Sequence, residues 1–187
     1  MVISTYNKII GAADKYIQKN GFSGFSYTDL AQEIGIKKAS IHYYFPSKMD
    51  LGIAYCQFKL EALDDFEKSI KNIKSARDII SKYCKFFEIC AENKEMCGIH
   101  AMLTDCSLYS DELKDKVTVL INAELKILEN IFEVLLKENS VKLSYMLPSE
   151  LAIIVNSTVK GSLLINRVSE KNTYNTAVES LIKMLVI

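Results

Sequence analysis

Two sets of side chains in this sequence have the types and spacing to do chemistry. The first lies near the N-terminus. There Lys37, Lys38, Ser40, His42, Tyr43, Tyr44 and Lys48 bring ammonium groups, a hydroxyl and polar rings into one short stretch. Groups of this kind suit phosphates and base edges. Taken singly, the lysines read as a solvated face and the aromatics as a small local core. The second set is Cys97-Gly98-Ile99-His100 with Cys106. Cysteine beside histidine is raw material for a nucleophile and base, a metal site or a redox centre. A metal site lacks a second ligand pair nearby. A helical-bundle enzyme using Cys97 or Cys106 with His100 lacks a third orienting group and a glycine-rich phosphate loop. A redox centre needs an accessible, activated thiol, and Cys97 has Lys94 nearby but Glu95 nearer. Buried structural cysteine is the simplest reading, so no catalytic residue, metal or cofactor is expected.

Composition bounds the scaffold that must hold these groups. The chain has 187 residues, 49% of them hydrophobic, enough for a sizeable core. With 7 glycines and 2 prolines it is neither collagen-like nor a Pro/Gly-rich disordered chain, and turn signals are too sparse for a sheet-rich fold. No apolar run approaches the ~18 residues of a membrane span. Met1–Lys8 lacks a basic stretch leading into an apolar run, so no signal peptide is expected. Net charge is +0, but residues 1–50 hold six lysines (Lys8, Lys15, Lys19, Lys37, Lys38, Lys48) against Asp14, Asp29, Glu33 and Asp50. The 5 cysteines are odd in number and form no CxxC pair, which fits a reducing, cytoplasmic setting.

Hydrophobic periodicity predicts helix almost throughout. A first helix spans about 5–20, with Ile9, Ala13 and Ile17 spaced by four, and stops at Asn20-Gly21. Ser26 with Asp29 forms a capping pair for a short helix over 27–34, broken by Gly35. A third helix covers about 38–44 and ends before Pro46. Ser47 with Asp50 opens a long helix whose stripe is Leu51, Tyr55, Phe58, Ala62, Phe66, Ile70 and Ile73. Further helices are expected at about 75–93, 97–108, 111–138, 149–170 and 173–185, with a loop over Lys137–Met146. The stripe of 111–138 is read as Leu113, Val117, Ile121, Leu125, Leu128, Phe132 and Leu135.

The two short helices over 27–44, joined by a glycine-containing turn, have the pattern of a helix-turn-helix. Ala31 permits close crossing, and Leu30, Ile34, Ile36 and Ile41 form the inner face. The stretch Thr28-Asp29-Leu30-Ala31-Gln32-Glu33-Ile34-Gly35-Ile36, followed by Lys37-Lys38-Ala39-Ser40-Ile41-His42-Tyr43-Tyr44-Phe45-Pro46-Ser47-Lys48, resembles the TetR family of transcriptional regulators. The match covers about the first 50 residues. Ala39 stands where the family usually has glycine, His42 where it has tyrosine, and Tyr44 where it has histidine. Alanine still leaves room beside a phosphate, and the ring exchanges keep flat polar groups, which points to altered operator preference.

The resemblance implies an all-α protein: a three-helix DNA-binding unit over residues 1–47, then a helical ligand-sensing and dimerisation domain over 48–187. The second short helix would enter the major groove, with Lys37 and Lys38 at its N-terminal end and Ser40, His42 and Tyr43 on bases or phosphates. Tyr27, Thr28, Tyr44 and Lys48 would anchor phosphates by the family's pattern. The expected partners are a palindromic double-stranded operator, a second copy of the chain joined through about 149–170 and 173–185, and an unknown small-molecule effector that releases the repressor. Candidate effector contacts are Phe86, Phe87, Cys90, His100, Met102, Leu103, Cys106, Ile121, Leu125 and Thr158, although ordinary core packing is the simpler explanation of each. A cysteine-based sensor of oxidants or electrophiles is the alternative reading of the second domain.

Overall fold

The computed structural model describes residues 4–187; Met1–Ile3, the start of the segment read for a leader, lie outside them. Among the described residues ten α-helices follow in order. They are α1 (Thr5–Asn20), α2 (Tyr27–Ile34), α3 (Lys38–Tyr44), α4 (Lys48–Ile70), α5 (Ala76–Lys85), α6 (Glu88–Glu92), α7 (Gly98–Thr104), α8 (Asp111–Lys137), α9 (Pro148–Asn166) and α10 (Thr173–Leu185). Two compact units result. One takes residues up to Ala62 together with Gly98–Ile121; the other takes Leu63–Cys97 with Asn122–Ile187. Helices α4 and α8 contribute residues to both. The role boundary expected after residue 47 therefore falls inside the first unit.

In the first unit, the four-residue spacing of α1 puts Ile9, Ala13 and Ile17 fully inside, with Leu30 of α2 and Ile41 of α3. Each such aliphatic side chain contributes about 1.5–3 kcal/mol by leaving water. Both expected caps form. The Ser26 backbone N–H donates to Asp29 Oδ2 at 2.7 Å, and the Ser47 N–H to Asp50 Oδ2 at 2.8 Å. Between α2 and α3, Gly35 adopts φ 75° and ψ 37°, a left-handed conformation that a β-carbon penalises. The N-terminus of α7 comes unusually close to α4: a β-carbon on Gly98 would lie 2.0 Å from Tyr55 Oη. Phe22 packs edge-on against Tyr109, with ring centroids 5.2 Å apart.

In the second unit, the helix expected over 75–93 is broken into α5 and α6 at Phe86–Phe87. The expected helix over 97–108 shortens to α7 plus one 3-10 turn at Cys106–Leu108. The α8 stripe also runs along a different line. Its buried positions are Leu113, Val117, Leu120, Glu124, Leu128, Ile131, Phe132 and Leu135, leaving Ile121 and Leu125 half-buried on the flank. A steady alternation of three- and four-residue steps keeps one face inward over a long helix, and the stripe expected from the sequence steps onto the neighbouring line at 121. The segment expected as a plain loop carries a tie to the chain's end: Val141 bridges Val186, and the Lys142 N–H donates to Leu185 O at 2.8 Å.

Candidate nucleic-acid interface and regulatory unit

Helix α3 presents the groups singled out in the sequence. Lys37, Lys38, Ala39, His42, Tyr43 and Tyr44 are exposed, Tyr43 at 82%. Ser40 is half-buried, and Thr28 at the start of α2 is exposed. Exposure alone costs a tyrosine apolar burial, so a ring this bare is poised for something outside the unit. His42 is oriented from behind: its ring meets Tyr27 edge-on at 4.8 Å, and Nδ1 lies 3.2 Å from Pro46 O.

Two of the expected phosphate anchors face inward. Tyr27 is 5% exposed, and its hydroxyl donates toward Phe45 O at 2.9 Å and Ser47 O at 2.5 Å. Burial, with Asp50 adding to it, pushes its phenol up to about 12. Lys48 donates to Phe25 O, and its ammonium sits over the Phe25 ring at 4.2 Å and the Phe22 ring at 5.2 Å. Burial holds this ammonium below the usual lysine range, against the opposing pull of Asp105 and Asp29. Both residues brace the junction of α3 and α4; the exposed cations of the face are Lys37 and Lys38.

The candidate effector residues are distributed over both units. His100, Met102, Leu103, Cys106 and Ile121 belong to the first unit; Phe86, Phe87, Cys90, Leu125 and Thr158 belong to the second. Phe87, Cys90 and Met102 are buried, Phe86 and Cys106 exposed, and the others half-buried. None lines the cleft of about 250 Å³ between α5 and α10, formed by Ser81, Cys84, Lys85, Glu88, Tyr174, Asn175, Val178, Glu179 and Ile182. None lines the groove of about 720 Å³ in the first unit either, whose walls include Tyr6, Tyr44, Ile53, Gln57, Glu112 and Lys116. Cys97 and His100 are divided between the two units.

The densest polar cluster of the second unit is one that the sequence reading missed. Lys160 is 2% exposed and Glu124 1% exposed. Lys160 Nζ lies 2.7 Å from Glu124 Oε1, 3.1 Å from Cys97 Sγ and 3.2 Å from the centroid of the Phe87 ring. The Tyr83 hydroxyl donates to Glu124 Oε1 at 3.1 Å, and Asn156 donates to the Tyr83 oxygen at 3.2 Å. Burial, with Glu124 beside it, pushes the Tyr83 phenol well up. A signal existed: Glu124 sits four residues from both Leu120 and Leu128, and Lys160 is four from Asn156 and three from Leu163. Opposite charges on the buried registers of two helices call for each other.

Residues 9–55 match the family model of bacterial regulatory proteins of the tetR type. The whole chain superposes on a TetR transcriptional regulator from Legionella pneumophila with a TM-score of 0.86 at 26% identity, covering 97% of each chain. These matches place residues 9–55 in the TetR family and give the chain the fold of that family's regulators. The chain is a DNA-binding transcriptional regulator. Among other TetR-family likenesses, it is 27% identical over 133 residues to the fatty acid metabolism regulator protein of Bacillus subtilis, spanning 67% of this chain and 65% of that protein. It also shares the fold of FadR from Bacillus subtilis, solved with stearoyl-CoA, at a TM-score of 0.67 and 19% identity over 95% of this chain and 98% of that one. Among the described residues, no helix is long and apolar enough to cross a membrane.

Proposed function

We propose that the chain acts as a dimeric repressor, reads a palindromic operator through α3, and leaves it when a small molecule binds the second unit. The observation that carries the reading is the bare face of α3, with Lys37, Lys38, His42 and Tyr43 outward on a helix-turn-helix whose bend is set by Gly35. One such unit touches few groups on a duplex, so paired heads reading half-sites about 34–36 Å apart per helical turn supply the affinity. Helix α9 supports the pairing. Ile153, Ser157, Gly161, Leu164 and Ile165 share an outward face, with Ile153 54% and Ile165 57% exposed, and Val168 in the turn just past the helix end is 88% exposed. A β-carbon at Gly161 would meet nothing within 4 Å in the single chain, so the gap is room for a close neighbouring helix.

The effector reading draws on the Bacillus subtilis matches: the curated relative is named for fatty acid metabolism, and the solved FadR structure holds stearoyl-CoA. Stearoyl-CoA is therefore a first compound to test here. The decisive experiment selects genomic fragments with the full chain, then measures binding to a selected duplex against salt. Lys37→Ala and Lys38→Ala are expected to shrink the log–log salt slope by about 0.9 for each phosphate left unneutralised, while Tyr43→Ala weakens binding without abolishing the fold. Binding that is indifferent to sequence and to all three variants would remove the reading.

A further inference from the structure

We propose that His42 determines operator specificity as an acceptor: its Nε2 takes a hydrogen bond from the exocyclic amine of one base, cytosine N4 or adenine N6. This deepens the DNA reading above and rests on it. His42 Nδ1 lies 3.2 Å from Pro46 O. A carbonyl oxygen only accepts, so Nδ1 carries the ring's proton and donates it there. In the neutral ring Nε2 is then left with a lone pair and no hydrogen. The side chain is exposed on α3, next to the bare ring of Tyr43. The arrangement is held from inside the fold. Tyr27 donates to Phe45 O at 2.9 Å and to Ser47 O at 2.5 Å, the carbonyls on either side of Pro46. The Tyr27 ring also meets the imidazole edge-on at 4.8 Å. One buried residue thus fixes both the segment that takes the Nδ1 proton and the setting of the ring, and with them the polarity that α3 shows to DNA.

That polarity decides what His42 touches. A phosphate oxygen offers only lone pairs, and Nε2 without a hydrogen is repelled by it, so His42 goes to bases and leaves the backbone to other groups. In the major groove guanine shows two acceptors, N7 and O6, and thymine an acceptor and a methyl group. Neither gives Nε2 anything to accept. Cytosine shows its N4 amine as its one hydrogen-bonding group there, and adenine shows the N6 amine beside the N7 acceptor. At cytosine the contact is complete; at adenine it takes N6 and leaves N7 to water. A tyrosine at this place would carry a hydroxyl that donates as well as accepts and would impose no such rule. His42, tied to Pro46, imposes one.

The test uses the full chain and a duplex from the genomic selection, at about pH 8.5, above the range in which imidazoles ordinarily titrate. Each base pair of one half-site is varied, and His42→Phe is compared with the parent to find the pair whose preference it erases. Should His42→Phe not fold, His42→Gln locates the pair by altering that preference, because its amide donates as well as accepts. Atom-deleted bases then decide on the parent alone. Cytosine at that pair is replaced by 2-pyrimidinone, or adenine by purine, which removes the amine and keeps the ring. The parent should lose about three- to tenfold in affinity, the worth of one hydrogen bond, and the base responsible names the amine that is read. Replacing the purine of the same pair by its 7-deaza form, which removes N7, should change nothing. A loss with the 7-deaza base and none with the amine-deleted one would mean that His42 donates, and overturns the proposal. So does His42→Phe weakening every sequence alike with a smaller salt slope, the mark of a phosphate contact. Sequence-specific binding in which no pair responds to either variant also overturns it and leaves the DNA reading standing, whereas parent binding indifferent to sequence removes both.

Discussion

Gly98 and Gly35 are both glycines for physical reasons, but opposite ones. At Gly98 the obstacle is Tyr55 Oη, 2.0 Å from where a β-carbon would stand. Overpacking of this kind costs about 1–3 kcal/mol, so Gly98→Ala should lower the melting temperature by several degrees, and adding Tyr55→Phe should return part of it. At Gly35 a β-carbon meets nothing, and the cost is the left-handed backbone itself, about 1–2 kcal/mol for Gly35→Ala with no second-site relief. Gly35 was legible in the sequence, because a turn glycine between two short helices has a local cause. The closeness at Gly98 was not, because its cause is a tyrosine 43 positions away. The same contrast separates the surface of α3, readable from residue type, from the inward turn of Tyr27 and Lys48, which depends on carbonyls and rings brought together by folding. Asp29 gives a pH test. Its hydrogen bonds with Ser26 hold its carboxyl below the usual range. A carboxylate so lowered stabilises the fold above its unfolded value, and that gain is lost as pH falls through the folded one. Asp29→Asn should therefore differ from the parent most at neutral pH, with the two thermal curves converging in acid.

At the scale of elements, α8 and α9 are joined by one buried ion pair. Removing only Lys160 leaves a carboxylate 1% exposed without its counter-charge, and Lys160→Met should cost about 3–5 kcal/mol in a denaturant titration. Lys160→Met with Glu124→Leu should recover most of that, because apolar replacement of both partners is close to neutral. The ends of α1 and α2 and the start of α4 agreed with the sequence because serine–aspartate caps and glycine stops are local. The break of α5 from α6 had no such marker; Phe86 and Phe87 sit on opposite sides of a kink that only packing selects, one exposed at 44% and one buried at 3%. The tie of α10's end to the 138–147 segment is likewise long-range. Val141 and Val186 are 2% and 6% exposed, so removing Val186 and Ile187 should cost about 1.5–3 kcal/mol, read as a lower denaturant midpoint.

For the molecule as a whole, Gly161 offers a test of pairing that spares the single chain. Gly161→Leu meets open space in one subunit and improves helix propensity, so the fold should be at least as stable. If two copies join through α9, the same leucine fills the gap between them. Sedimentation should then show a dimer for the parent and a monomer for the variant, with specific duplex binding lost in step; an unaltered dimer would move the interface elsewhere. The distribution of sulfur has a practical outcome. Cys56, Cys84, Cys90 and Cys97 are buried and Cys106 alone is exposed. A maleimide dye should thus attach at a single address on the native fold, beside the turn that holds Asp105 against the Ser23 amide. Fluorescence from that one fixed lamp would register rearrangement around the first unit in real time, with no cysteine engineered in or out.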